Sequence, residues 1–180
     1  MVIKHPPSRR STPEEVAYHE AGHVVVGHLL GLELVDVDVV PDNEGGHGHT
    51  NFRAPDWFQR RQPLDERARR FVEAVVTTFL AGSAAEARLA GFVNAEAGGF
   101  DLDAIAREWV LLLGPPSEAR WRLEELGAVA TRLLSGSDSW AGVERVAKAL
   151  LERKRLSASE ALALGAAPAA PIRMRGAKRA

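Results

Sequence analysis

His19, Glu20 and His23 stand together in AYHEAGH, residues 17–23. Two imidazoles four positions apart share one face of a helix about a turn apart, so both can aim at a single point. Zinc accepts neutral imidazole nitrogens at about 2.0–2.1 Å in a tetrahedral site. Glu20 flanks that point, where a carboxylate can take the proton of a water attacking a carbonyl and return it to the leaving amine. The same spacing also fits a solvated helix face that merely carries two histidines. A catalytic zinc takes a third protein ligand and keeps its fourth position open, and several residues qualify. Asp101 stands at a helix start after a glycine-rich loop, and Asp103 follows two residues later. Glu86 comes seven residues after Phe79 on an apolar side, so burial is expected. A buried carboxylate must be paired, and a hydrogen bond to a ligating histidine is one natural use. His47 and His49 read first as solvated turn residues, and His28, well round the helix from His23, reads as structural.

The rest of the chain bounds what can hold such a site. Its 180 residues suffice for one domain with a sizeable core. Hydrophobic residues make up 46% and charged ones 26%, the balance of a soluble globular protein. A net charge of −1 argues against nucleic acid as a partner. There is no cysteine, so any metal must be held by nitrogen and oxygen, and a cytoplasmic location is the natural expectation. No apolar run approaches the ~18–20 residues that span a bilayer. The opening MVIKHPPSRR lacks the apolar segment of a secretory signal.

The elements follow from capping and periodicity. After a loose basic lead-in over residues 1–11, Thr12, Pro13 and Glu15 form a T-x-x-E box with proline at the first helical position, predicting an amphipathic helix to about Leu30 with Gly31 as its stop. Val16, Val24 and Leu29 mark its packed side. Leu34–Val40 alternates at period 2 and reads as a half-buried strand, with a turn over 41–48 and a partner strand at His49–Arg53. A long helix starts near Leu64, burying Phe71, Val75, Phe79 and Gly82. Its small-residue run Ala81–Ala87 would let another backbone approach closely. A loop at 91–99 leads to a helix that Pro115 and Pro116 end. Further helices run from Ser117, with Leu123, Leu126, Val129 and Leu133 at core spacing, and from about Trp140 to Arg155. Ser157 and Glu160 cap a short one ending near Leu164. The Ala/Pro-rich tail over 166–180 is expected to be disordered. The fold class is therefore mainly α (α+β), one domain over about residues 12–165 with a small β-hairpin.

With these residues in order, the sequence resembles the zinc metalloprotease domain of the FtsH-type AAA+ proteases. AYHEAGH resembles that family's signature, and Gly48-His49-Thr50 its G-[YH]-T edge strand. AGSAAEA at 81–87 is similar to its GGRAAEE helix. GGFDLDAIA at 98–106 looks like its loop and helix start, and LLERKRLSASEAL at 150–162 like its closing helix pair. The resemblance implies that His19 and His23 bind zinc, that Glu20 is the catalytic base and that Asp101 is the third ligand, with Glu86 supporting the ligands. It implies an extended peptide or unfolded protein as substrate, held along the edge strand by backbone hydrogen bonds.

The departures carry their own expectations. Ala97-Gly98-Gly99-Phe100 differs from the family pattern before the aspartate. No G-x-x-x-x-G-K-[ST] occurs, so the chain has no ATP-binding P-loop. The expected function is an ATP-independent zinc endopeptidase of FtsH-like fold, acting on flexible peptides unaided or on substrates brought by a separate partner. The segment between Gly114 and Gly136 looks shorter than the family's, so a homo-oligomer remains open. Two alternatives stand beside it: a non-catalytic zinc-stabilised interaction module, and a regulatory metalloprotein of narrow target range. Trp57 and Phe58 are candidates for lining a substrate groove, against ordinary packing.

Overall fold

The computed structural model describes residues 11–41, 48–60, 63–91 and 99–166, with backbone alone at 99–104. The expected lead-in up to residue 10, the turn residues 42–47 with His47, and the tail from 167 lie outside the described residues. Six α-helices and a three-stranded antiparallel sheet make up the remainder, a mainly α architecture with a small β component.

α1 (Pro13–Leu29) begins where its capping chemistry puts it. Thr12 Oγ1 accepts the Glu15 amide at 3.2 Å, while the Glu15 carboxylate accepts the Thr12 amide at 2.7 Å. The helix is not amphipathic, however. Nearly every residue from Glu15 to Gly27 is buried, Tyr18 alone being half-exposed. A helix buried all round is a central one, and α1 packs against the second, fifth and sixth helices and the sheet. Leu29, expected on the packed side, is 51% exposed, because the last turn leaves the core before Gly31 reverses the chain with φ of 77°. His28, in the same turn, is exposed as well.

α2 (Glu66–Ala90) starts at Asp65, whose carboxylate accepts the Ala68 amide at 2.7 Å, and stops at Gly91 in the left-handed conformation. α3 (Gly99–Val110) ends five residues short of Pro115, in a turn closed by Leu112 N–H to Trp109 O and Leu113 N–H to Val110 O. One apolar cluster joins Val72 and Val76 of α2 to Ala106, Val110 and Leu113. Phe58 stacks on Trp109 at 5.7 Å and meets Phe71 at 4.6 Å, while Trp57 lies under the Arg67 guanidinium at 3.9 Å. These two aromatics are thus committed to packing on α2 and α3. A short 3₁₀ turn (Pro116–Glu118) leads into α4 (Ala119–Ser135), which buries Ala130 and Leu134.

The main core lies between α1, α2, α4, the sheet, α5 (Ser137–Arg153) and α6 (Ala158–Ala166). β1 (Glu33–Asp38) is the central strand, flanked by β2 (His49–Arg53) on one edge and by β3 (Arg155–Ser157) on the other. The alternation expected of β1 does not hold. Leu34 and Val37 are buried while Val35 is 40% exposed, because the register against β2 shifts between Leu34 and Asp36. One irregular residue inverts which face the following side chains take. β3 falls where the α5 helix was expected to end, at Arg155, and the next one to begin, at Ser157. Lys154 ends α5 with φ of 69°, and Leu156 then pairs with Val37. Three residues with one buried side chain are too few to show a period in the sequence. The second expected capping box is present, with Ser157 N–H to Glu160 Oε2 at 3.0 Å and Glu160 N–H to Ser157 Oγ at 3.4 Å.

Candidate metal and catalytic centre

The site is built where α1 crosses α2. His23 Nδ1 lies 2.7 Å from the Thr78 carbonyl, and His19 Nδ1 contacts Glu86 Oε1. Ascending α1 from 19 to 23 descends α2 from 86 to 78, so the two helices run antiparallel. Thr78, Gly82 and Glu86 are spaced by four and share one face of α2, as His19 and His23 do on α1. The small residues make this approach possible. A Cβ at Gly22 would stand 2.7 Å from the Ala81 carbonyl oxygen, and one at Gly82 would run into the His19 ring. The room that Gly22 leaves is filled by the backbone of α2, and the run Ala81–Ala87 serves that close contact.

These contacts orient both rings. A carbonyl can only accept, so His23 Nδ1 carries the proton and donates it to Thr78 O, and Nε2 keeps its lone pair. That Nε2 is buried and meets no hydrogen-bond donor among the described residues. Engagement of His19 Nδ1 by Glu86 likewise fixes that ring, whose Nε2 lies over Gly82 of α2. The ring centroids are 4.6 Å apart and the planes 81° to one another. His19, His23 and Glu86 are 4%, 2% and 2% exposed, so none of them belongs to an idle outer face.

Glu20 is buried beside them. Its Oε2 accepts the Thr50 hydroxyl of β2 at 2.6 Å. Burial pushes the Glu20 carboxyl up to about 8, the Thr50 hydrogen bond pulls it down, and Asp38 and Glu86 add to the rise. Burial, then Glu15, raises Glu86 to about 8. His23 moves the other way, to about 3, through burial and then the neighbouring His19. A pocket that resists carboxylates and imidazolium alike favours groups that are neutral or balanced by an added cation.

The donor set fits a zinc ion. Two buried imidazoles lie side by side, and the Nε2 lone pair of His23 meets no donor among the described residues. An acceptor in that position is costly unless something electrophilic reaches it. Glu86 and the Thr78 carbonyl engage the opposite ring nitrogens, as the outer contacts of metal-bound histidines do. Among the described residues no third histidine, aspartate or glutamate joins the pair. Asp101 is the third residue of α3, and its side chain and that of Asp103 lie outside the described residues. His49 is exposed and stands 3.8 Å from Asp38. Three contributors were not singled out from the sequence as site residues: the Thr78 carbonyl, Gly82 as a spacer under His19, and the Thr50 hydroxyl. For the first two, the i, i+4, i+8 spacing of Thr78, Gly82 and Glu86 was a usable signal.

No protein-family model matches the chain. The ATP-dependent zinc metalloprotease FtsH 1 of Symbiobacterium thermophilum is 36% identical over 178 residues, spanning 82% of this chain and 28% of that protein. The chain is similar to FtsH zinc metalloproteases. The enzyme of that name from Metamycoplasma arthritidis is 32% identical over 63% of this chain. The one from Mycoplasma mobile is 31% identical over 68%. The similarity spans only 14% and 16% of those two FtsH proteins, so the chain is related to a part of each.

Proposed function

We propose that this chain is a zinc-dependent endopeptidase that hydrolyses flexible peptides without ATP. The observation that carries the reading is the buried Nε2 of His23, which meets no donor among the described residues and is aimed by the Thr78 carbonyl beside a second oriented histidine and a buried glutamate. The similarity to FtsH zinc metalloproteases supports the same class. His19 and His23 hold the metal through Nε2, and Asp101 is the third ligand that the sequence resemblance selects. When bound, zinc supplies Lewis-acid polarisation of a carbonyl and lowers the pKa of a water toward ~7.

The remaining work falls to the chain's own groups. Glu20 takes a proton from the attacking water and passes it to the leaving amine. A base must be ionised, and burial, with Asp38 and Glu86 adding to it against the Thr50 hydrogen bond, holds this carboxyl near 8. A neighbouring cation offsets that burial and favours the carboxylate. Glu86 keeps His19 oriented, and the Thr78 carbonyl does the same for His23. Among the described residues β2 pairs with β1 on one side only, and its other edge would offer backbone groups to an extended substrate.

The test is metal analysis and a general peptidase assay on wild type and Glu20→Gln. The variant should bind zinc at wild-type stoichiometry and lose cleavage by ~100-fold or more, the contribution of a positioned acid–base group. A Glu20→Gln protein that behaves as wild type in every assay would instead favour a zinc-stabilised interaction module.

A further inference from the structure

Glu20 is held from above by a strand far from it in sequence. The Thr50 hydroxyl lies 2.6 Å from Glu20 Oε2 and 3.4 Å from the Glu20 carbonyl oxygen. A hydroxyl has one proton to give, and the shorter contact to the carboxyl is the one that takes it. Two residues earlier the chain also packs against this side chain. A Cβ at Gly48 would stand 2.8 Å from Glu20 Oε1 and 2.9 Å from its Cγ. Thr50 and Phe52 are the half-buried residues of β2, alternating with exposed His49, Asn51 and Arg53. Phe52 seats the strand on α1, since its ring fills the space a Cβ at Gly27 would need. That seating brings Thr50 over Glu20.

We propose that Thr50 is a positioning residue for Glu20. It holds Oε2 and thereby assigns Oε1 as the oxygen that exchanges a proton with water. The inference rests on the hydrolase reading above and extends it to the edge strand. The strand whose outer edge would bind peptide fixes, through its inward side chain, the group that acts on that peptide. Loss of the hydroxyl leaves the carboxyl present but free to turn, and a misplaced reacting group forfeits rate far more than binding.

Thr50→Val removes the hydroxyl at nearly constant shape, and Thr50→Ser restores it. On an unstructured peptide, kcat of Thr50→Val should fall by ~10- to 100-fold with KM within about twofold of wild type. Thr50→Ser should recover most of that loss. Zinc content and thermal unfolding are measured on each protein to show that the comparison is between folded, loaded chains. Independently of activity, the Thr50 hydroxyl proton should be visible by NMR at low temperature and slow to exchange, as a buried donor to a carboxyl oxygen is. Wild-type kcat in Thr50→Val, a serine variant as impaired as the valine one, a loss confined to KM, or a rapidly exchanging hydroxyl would each overturn the inference. Should Glu20→Gln be inactive while Thr50→Val is unaffected, only the role of Thr50 falls. Should Glu20→Gln retain full activity, the hydrolase reading falls and takes this inference with it.

Discussion

Glu86 does the same job for His19 that a backbone carbonyl does for His23, and the difference is chemically meaningful. A carboxylate opposite an imidazole raises the basicity of the far nitrogen more than a carbonyl does, so the two proposed ligands are not equivalent. Glu86→Gln keeps a hydrogen-bond acceptor but removes the charge, and zinc affinity should fall by ~10- to 100-fold, measured by competition with a chromophoric chelator. The buried charges also set the pH response of the zinc-stripped protein. Glu20 and Glu86 rise from 4.5 to about 8, so the folded chain binds more protons than the unfolded one in that window, and stability falls as pH rises through it. His23 drops from 6.5 to about 3, which removes stability as pH falls from 6.5 toward 3. Two carboxyls outweigh one imidazole between 4.5 and 6.5, and above 6.5 they act alone. Chelated protein should therefore melt at a higher temperature at pH 5 than at pH 8, and zinc should reverse that order; a higher melting temperature for the chelated protein at pH 8 would contradict it. That His19, Glu20 and His23 stand close together on one helix was legible in the sequence, because helical spacing alone places them. The partner of His23 was not, since a backbone carbonyl has no residue type to read.

The crossing of α1 and α2 is what turns a motif into a site, and it depends on missing side chains. Gly22→Ala would press a methyl group against the Ala81 carbonyl, and Gly82→Ala would press one into the His19 ring. Overpacking of this kind costs about 1–3 kcal/mol, so both variants should lower the melting temperature, read by circular dichroism. Gly82→Ala should also weaken zinc binding, because the ring it displaces is a proposed ligand, whereas Gly22→Ala meets only α2. At the other end of the fold, Lys154 takes a left-handed conformation at the close of α5, with φ of 69°. Glycine adopts that region without a Cβ penalty, so Lys154→Gly should stabilise the chain by up to about 1 kcal/mol. Which elements form was largely readable: both capping boxes, the helix starting near residue 65 and the hairpin all follow from local chemistry. The burial of α1 on every side was not, because its small and charged residues show no apolar stripe until the surrounding helices are known. The face of β1 was misread for a related reason, since a register shift leaves no mark on the alternation itself.

At the scale of the molecule, α1 runs through the centre of the main core while the edge strand that covers Glu20 lies at the border of the sheet. No described helix is long and apolar enough to cross a membrane. A substrate that pairs with β2 must arrive extended, with its own backbone groups unpaired. A folded protein offers such a segment only while it is locally or globally open. When opening and closing are fast relative to cleavage, the cleavage rate follows the open population. Marginally stable domains are open in a fraction of about 10⁻³ to 10⁻⁶. The purified chain, given zinc and no nucleotide, should therefore cleave an unstructured protein at least ~1000-fold faster than a stable domain of similar length and composition. Destabilising that domain by about 1.4 kcal/mol at sites away from the cleaved bond should then speed its cleavage ~10-fold, with the unstructured substrate unaffected. Gel-based time courses on a graded stability series give the slope directly. Cleavage indifferent to substrate stability would show that folded segments are accepted as they stand, and capture of an extended strand by β2 would have to be abandoned as the mode of binding.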